Sequence, residues 1–204
     1  MNVLPSDIAF SDASILYSIP FTNQFSPSYY LSFFMTKNYF VFVQQPLVIS
    51  VPSLVWGFYV DKKSLMHCSG NQRRKIDFML SRNKPAAFRI TYESEAFAFF
   101  HTINSYEEDD HIICDLCCYS DGSIVTLYLD TLQSICEEVE NSDFNWYDNE
   151  DGKCLLTDIR RYVLPLNISQ SNDSENLVRL QNSKAKAIKS ENKIVIDYES
   201  LVES

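Results

Sequence analysis

Phe99-Phe100-His101-Thr102-Ile103-Asn104-Ser105-Tyr106-Glu107-Glu108-Asp109-Asp110-His111-Ile112-Ile113-Cys114-Asp115-Leu116-Cys117-Cys118-Tyr119 is the stretch whose pattern decides the fold. It reads as two strands joined by the acidic turn Glu107 to Asp110, the second run apolar enough to be buried. One histidine, His101, ends the aromatic run, and Asn104 and an acidic pair follow it. A histidine at a strand end and directed at a core suits a metal ligand, because a neutral imidazole binds Fe, Cu and Zn well. The same position suits an ordinary hydrogen-bonded core histidine, which for one histidine among apolar neighbours is the commoner case.

Short strands recur on both sides of this pair. Ile15 to Phe21, Tyr39 to Val43, Ile76 to Leu80, Ala87 to Tyr92, Arg160 to Leu166 and Ile194 to Tyr198 are β-branched or aromatic runs. Pro, Asn and Ser bound many of them, as in the expected turn Ser81 to Pro85. Pro27 to Met35 is one more apolar stretch. Val125, Leu129, Leu132, Cys136 and Val139 repeat at three and four residues, so Ser123 to Glu140 is expected to be a helix, frayed at its acidic last turn. Many short strands and one helix give an all-β expectation, a propeller or a sandwich. The length of 204 residues allows a single domain, 1–204.

Composition removes several functions. A formal net charge of -10 with no basic stripe argues against nucleic acid as a partner. Met1 to Pro20 holds no Lys or Arg, so no secretory signal is expected there. Cys114-x-x-Cys117 has redox or zinc spacing, but no second pair stands at a matching distance. On a buried strand Cys114 and Cys118 would face one way and Cys117 the other, so these thiols read as small core residues in a reducing compartment. Asn167 and Asn172 fit the glycosylation pattern, which carries little weight without a leader. Asn38 to Val60 is free of charge, but Pro46 and Pro52 interrupt it and rule out a spanning helix. Val48 to Tyr59 is expected either on a membrane surface or in a buried strand pair.

Several stretches together resemble the carotenoid cleavage oxygenases, in their animal branch of β-carotene dioxygenases and the retinal pigment epithelium isomerohydrolase. They are Pro27-Ser28-Tyr29, Phe100-His101-Thr102-Ile103-Asn104-Ser105-Tyr106-Glu107, Asp115-Leu116-Cys117-Cys118, Arg160-Arg161-Tyr162-Val163-Leu164-Pro165-Leu166-Asn167, and Asn176 to Leu180 with the tail from Ile194 to Leu201. The resemblance implies a seven-bladed β-propeller, of which this chain would supply three to four blades in an incomplete ring. It implies Fe(II) on the axis, held by four histidines, which activates dioxygen to cleave a carotenoid or assists retinoid isomerohydrolysis. His101 falls on a ligand position. Phe100 and Tyr119 fall beside the substrate, and Val48 to Tyr59 on the segment that meets a membrane. A cytoplasmic protein, peripheral on a membrane, is the matching expectation.

Two departures qualify the resemblance. Leu31 stands where the family carries a histidine ligand, and Phe34 where it carries glycine. The chain is also less than half of a full family member, so it is expected to be a fragment of a longer product or a degenerate copy. His67 and His111 match no ligand position. Three readings follow: a partial iron-dependent oxygenase, a non-catalytic relative that has lost iron, and an unrelated all-β domain whose His101 is only a core residue.

Overall fold

Side-chain alternation carries the quoted stretch into a hairpin. In the computed structural model, which describes residues 23–52, 66–68, 76–82, 89–119, 157–168, 175–190 and 193–202, β7 (Thr102–Glu108) pairs antiparallel with β8 (His111–Tyr119). The two-residue connection is Asp109-Asp110, with φ of 43° and 61°. Two left-handed residues make the turn whose twist matches a hairpin, and Asp tolerates that region better than most residues. The turn is tied down from outside: Asp110 O accepts the Leu166 N–H at 2.9 Å, and Asn167 Nδ2 donates to Asp110 Oδ2 at 2.9 Å.

The other described strands are β1 (Phe34–Met35), β2 (Tyr39–Gln44), β3 (Leu47–Ile49), β4 (Met66–Cys68), β5 (Ile76–Arg82), β6 (Arg89–Ser94), β9 (Thr157–Pro165), β10 (Lys186–Ser190), β11 (Lys193–Asp197) and β12 (Glu199–Ser200). They form a four-stranded antiparallel sheet in the order β12-β9-β8-β7, a six-stranded sheet in the order β1-β2-β5-β6-β11-β10, and the pair β3-β4. Within the six-stranded sheet only β6 and β11 run parallel.

One hydrophobic cluster joins the two larger sheets. Ile112, Cys114, Leu116 and Cys118 of β8 and Tyr162 and Leu164 of β9 meet Val41, Val43, Ile90, Tyr92, Ile194 and Ile196. Each large apolar side chain so buried contributes about 1.5–3 kcal/mol. The Tyr92 hydroxyl crosses between the sheets and donates to Pro165 O at 2.7 Å.

The all-β expectation holds for the described residues. The strands expected at Tyr39 to Val43 and Ile194 to Tyr198 appear nearly as read. β5 runs on to Arg82, into the expected turn, because Tyr39 and Phe40 of β2 pair with Arg82 and Ser81. The expected strand Ile15 to Phe21 and helix Ser123 to Glu140 lie outside the described residues. Of the Val48 to Tyr59 stretch, β3 holds Val48 buried opposite β4, and residues 53–59 lie outside the described residues. No helix among the described residues is long and apolar enough to cross a membrane.

Candidate functional site

Phe99, Phe100 and His101 lead into β7. Two backbone bonds fix this segment to the end of β8: Ala98 N–H donates to Tyr119 O at 3.0 Å, and Tyr119 N–H to Ala98 O at 2.8 Å. This bridge sets Phe100 against Tyr119, with ring centroids 5.9 Å apart and planes at 71°. On its other side Phe100 meets Tyr29 at 6.1 Å and 78°. Both are edge-to-face contacts, in which a positive ring edge meets a negative ring face. Phe100, Tyr119 and Tyr29 are all half-buried, so each keeps apolar surface available to a ligand.

His101 is exposed. Among the described residues its ring makes no hydrogen bond or ion pair. This overturns the expectation of a core-directed or hydrogen-bonded core histidine. The physical reason lies in its neighbours: Phe99, 2% exposed, takes the core position, and a register shift between Thr102 and Asn104 leaves Ile103 unpaired as a bulge. Bulges re-aim adjacent side chains, here just downstream of the histidine.

Ser32 ties the Pro27 to Met35 stretch to His101. Its Oγ donates to Phe100 O at 3.2 Å and accepts from the Thr102 N–H at 3.1 Å, spanning the histidine on both sides. Leu31, one residue away, is 52% exposed, and its hydrocarbon offers a metal no lone pair. Phe34 is accommodated: it is buried in β1 opposite Val41 and joins the core.

Gln45, which in the sequence merely interrupts an apolar run, is buried and makes three hydrogen bonds to backbone. Its Nε2 donates to Tyr29 O and to Phe99 O, both at 3.0 Å, and its Oε1 accepts from the Phe99 N–H at 2.9 Å. No local sequence signal could have found it, since Phe99 lies 54 residues away.

Several other titratable groups among the described residues hold strands and turns together. Nδ1 of buried His111 lies 2.6 Å from Asp109 O, and Nε2 lies 3.2 Å from the Arg179 N–H and 3.3 Å from Leu177 O, so both ring nitrogens have partners. Asp115 and Arg161 stand opposite each other on β8 and β9 and form a two-pronged pair at 2.8 and 2.9 Å. Sequence reading missed this pair, whose Arg161 lines a polar cavity of about 470 Å³ together with Tyr106, Arg179 and Glu199. Cys114 and Cys118 are buried and Cys117 half-buried, none in a disulfide. Burial pushes the Cys118 thiol up to about 12 and raises Cys114 well above its ordinary value, so both stay protonated.

The donor set does not amount to a metal site by itself. Among the described residues no three of His, Cys, Asp and Glu gather to hold an ion. Among the residues whose side chains are described, His101 is the imidazole beside the aromatic trio, and both ring nitrogens of His111 have partners. Iron would need ligands from outside the described residues.

Comparison with known proteins places this strand scaffold in a family. The family model described as retinal pigment epithelial membrane protein matches residues 7–195, and the chain belongs to that family. It is 33% identical over 195 residues to a mitochondrial carotenoid-cleaving dioxygenase of Mustela putorius furo, covering 93% of this chain and 34% of that protein. It is 29% identical over 178 residues to the human beta,beta-carotene 15,15'-dioxygenase, covering 85% of this chain and 30% of the relative. The chain thus spans about a third of the length of these relatives. Among solved structures, a variant of the Synechocystis apocarotenoid oxygenase superposes with a TM-score of 0.51 at 14% identity, covering 87% of this chain and 28% of that one. That likeness establishes the carotenoid oxygenase fold.

Proposed function

We propose that this chain forms part of a carotenoid-cleaving dioxygenase, in which Phe100 and Tyr119 line the polyene site and His101 is one ligand of an Fe(II) centre. The observation that carries the reading is the edge-to-face pairing of Phe100 with Tyr119 next to an exposed histidine whose ring makes no hydrogen bond among the described residues. Bound Fe(II) would supply the activation of dioxygen, and its remaining ligands would come from outside the described residues. The chain's own residues bind and orient the substrate. Half-buried rings give a flat conjugated chain apolar surface on which to stack and keep water from it. In this reading the four-stranded sheet β12-β9-β8-β7 is one blade of a seven-bladed propeller, and the chain supplies three to four blades.

The Val48 to Tyr59 segment is proposed to meet a membrane surface beyond residue 52, since Val48 itself is buried. A cytoplasmic, peripheral location competes with the mitochondrial one in the relatives' names, and cell fractionation separates the two. Leu31 favours a second reading, a non-catalytic relative without iron, because its side chain lies one residue from the Ser32 clamp around His101.

The test uses protein from the complete coding region, incubated aerobically with β-carotene while apocarotenals are followed by chromatography. The oxygenase reading expects product, and a raised KM in Phe100→Ala and Tyr119→Ala. Absence of product from iron-loaded, folded protein would favour the second reading.

A further inference from the structure

We infer that Gln45 is a positioning residue: its side chain sets the separation between the Tyr29 loop and the Phe99-Phe100 segment, and hence the shape of the aromatic wall. The inference deepens the functional proposal above and rests on it only for the ligand. The geometric part stands alone.

The amide of Gln45 is used almost to its limit. Both Nε2 hydrogens go to carbonyls on different segments, Tyr29 O and Phe99 O, and Oε1 takes the Phe99 N–H. The opposite amide orientation would set an NH2 group against the Phe99 N–H and an oxygen against two carbonyls, so only one orientation is consistent. A further bond, from Ser28 Oγ to Gln45 O at 3.0 Å, holds the loop to the Gln45 backbone as well. The side chain is fixed at both ends and Gln45 is 2% exposed. Water cannot replace its bonds without opening the structure. The two bridged segments carry the rings that meet at 6.1 Å, Tyr29 being itself a bonded residue and Phe100 following Phe99. The Ser32 clamp and the bond from the Tyr29 N–H to Leu47 O at 2.8 Å hold the flanks of these segments, while Gln45 joins Tyr29 directly to Phe99. Gln45 touches no expected substrate position, so it acts through Phe100 and Tyr29.

The test reads the wall directly, by proton NMR of the full chain. In the wild type the edge-to-face contact with Phe100 is expected to give the Tyr29 ring protons a ring-current displacement. Gln45→Leu, which keeps bulk and removes every polar bond of the side chain, is expected to abolish that displacement. The shifts of the Tyr162–Tyr198 pair, at 5.8 Å and separated from Phe99 by the Phe97 ring, should stay in place, whereas a merely structural loss would move both. Should Gln45→Leu fail to fold, Gln45→Glu is read the same way, since it keeps the acceptor for the Phe99 N–H and replaces the amide NH2 that donates to Tyr29 O and Phe99 O by an oxygen. Persistence of the Tyr29 displacement in a folded variant overturns the inference, as does equal loss at both tyrosine pairs.

Binding is then measured with all-trans-retinol as a fluorescent probe. Phe100→Ala should weaken binding about tenfold, and Gln45→Leu should add little in the Phe100→Ala background, as expected of a residue acting through the ring. Additive losses overturn the inference. If Phe100→Ala leaves retinol binding unchanged while the Tyr29 displacement behaves as expected, the positioning role stands and the ligand reading fails.

Discussion

Removing the charge of Arg161 should cost more stability than removing its partner, because the two leave different groups behind. In the pair, Arg161 Nε lies 2.8 Å from Asp115 Oδ1, with the Asp115 side chain 6% exposed and that of Arg161 28% exposed. Arg161→Met strands a carboxylate in the sheet with almost no access to water. Breaking a buried pair in this way costs about 3–5 kcal/mol. Asp115→Val strands a guanidinium that is partly solvated and keeps Glu199 Oε1 at 3.8 Å. Such a group recovers much of its solvation, so about 1–2 kcal/mol is expected. The double variant removes both charges and should return to within about 1 kcal/mol of wild type, giving a strongly favourable coupling. Urea unfolding at pH 7 followed by circular dichroism measures all four proteins, with unchanged m-values as the condition for comparing midpoints. Equal costs for the two single variants, or a double variant as unstable as Arg161→Met, would refute the reasoning.

Glu107 should make stability depend on acid. Burial opposes its ionisation, but hydrogen bonds from the Thr36 hydroxyl and from the backbone and side chain of Asn38, with Lys37 nearby, hold the carboxyl below its ordinary 4.5. A depressed folded pKa stabilises above the unfolded value and is lost as pH falls through the folded one. The wild type should therefore exceed Glu107→Gln in Tm at pH 7, with the gap closing below about pH 4.5; a gap constant with pH contradicts this. Alkylation by iodoacetamide at pH 8, mapped by mass spectrometry, should label Cys117 while sparing Cys114 and Cys118. At a pKa of about 12 the thiolate fraction of Cys118 is on the order of one in ten thousand. Tyr92→Phe loses the bond to Pro165 O and should cost about 1 kcal/mol, or up to about 3 if that carbonyl stays buried without a donor.

Much of the strand layout was legible because period-two patterns and turn residues are local. The hairpin of β7 and β8 could be read from its alternation and acidic turn, and the opposite faces of Cys114 and Cys117 from strand periodicity alone. What could not be read depends on contacts between distant residues. Asp115 finds Arg161 only once the register of β8 on β9 is fixed. Gln45 looked like a breaker of an apolar run because its partners lie on two other segments. His101 was expected to face a core, yet the bulge at Ile103 and the burial of Phe99 leave it exposed, which no local pattern encodes. Family resemblance alone placed Phe100 and Tyr119 beside a substrate; their contact with each other follows from the backbone bridge between Ala98 and Tyr119.

The central claim is that His101 is a metal ligand rather than a structural residue. The most direct measurement is the iron content of protein from the complete coding region, wild type and His101→Gln, alongside their melting temperatures. An exposed ring with no bonds among the described residues should contribute little to stability, so the apo-proteins are expected to melt within about 0.5 kcal/mol of each other. The account predicts near-stoichiometric iron in the wild type and its loss in His101→Gln. Equal iron in the two proteins, or a large destabilisation of His101→Gln without iron, would contradict it.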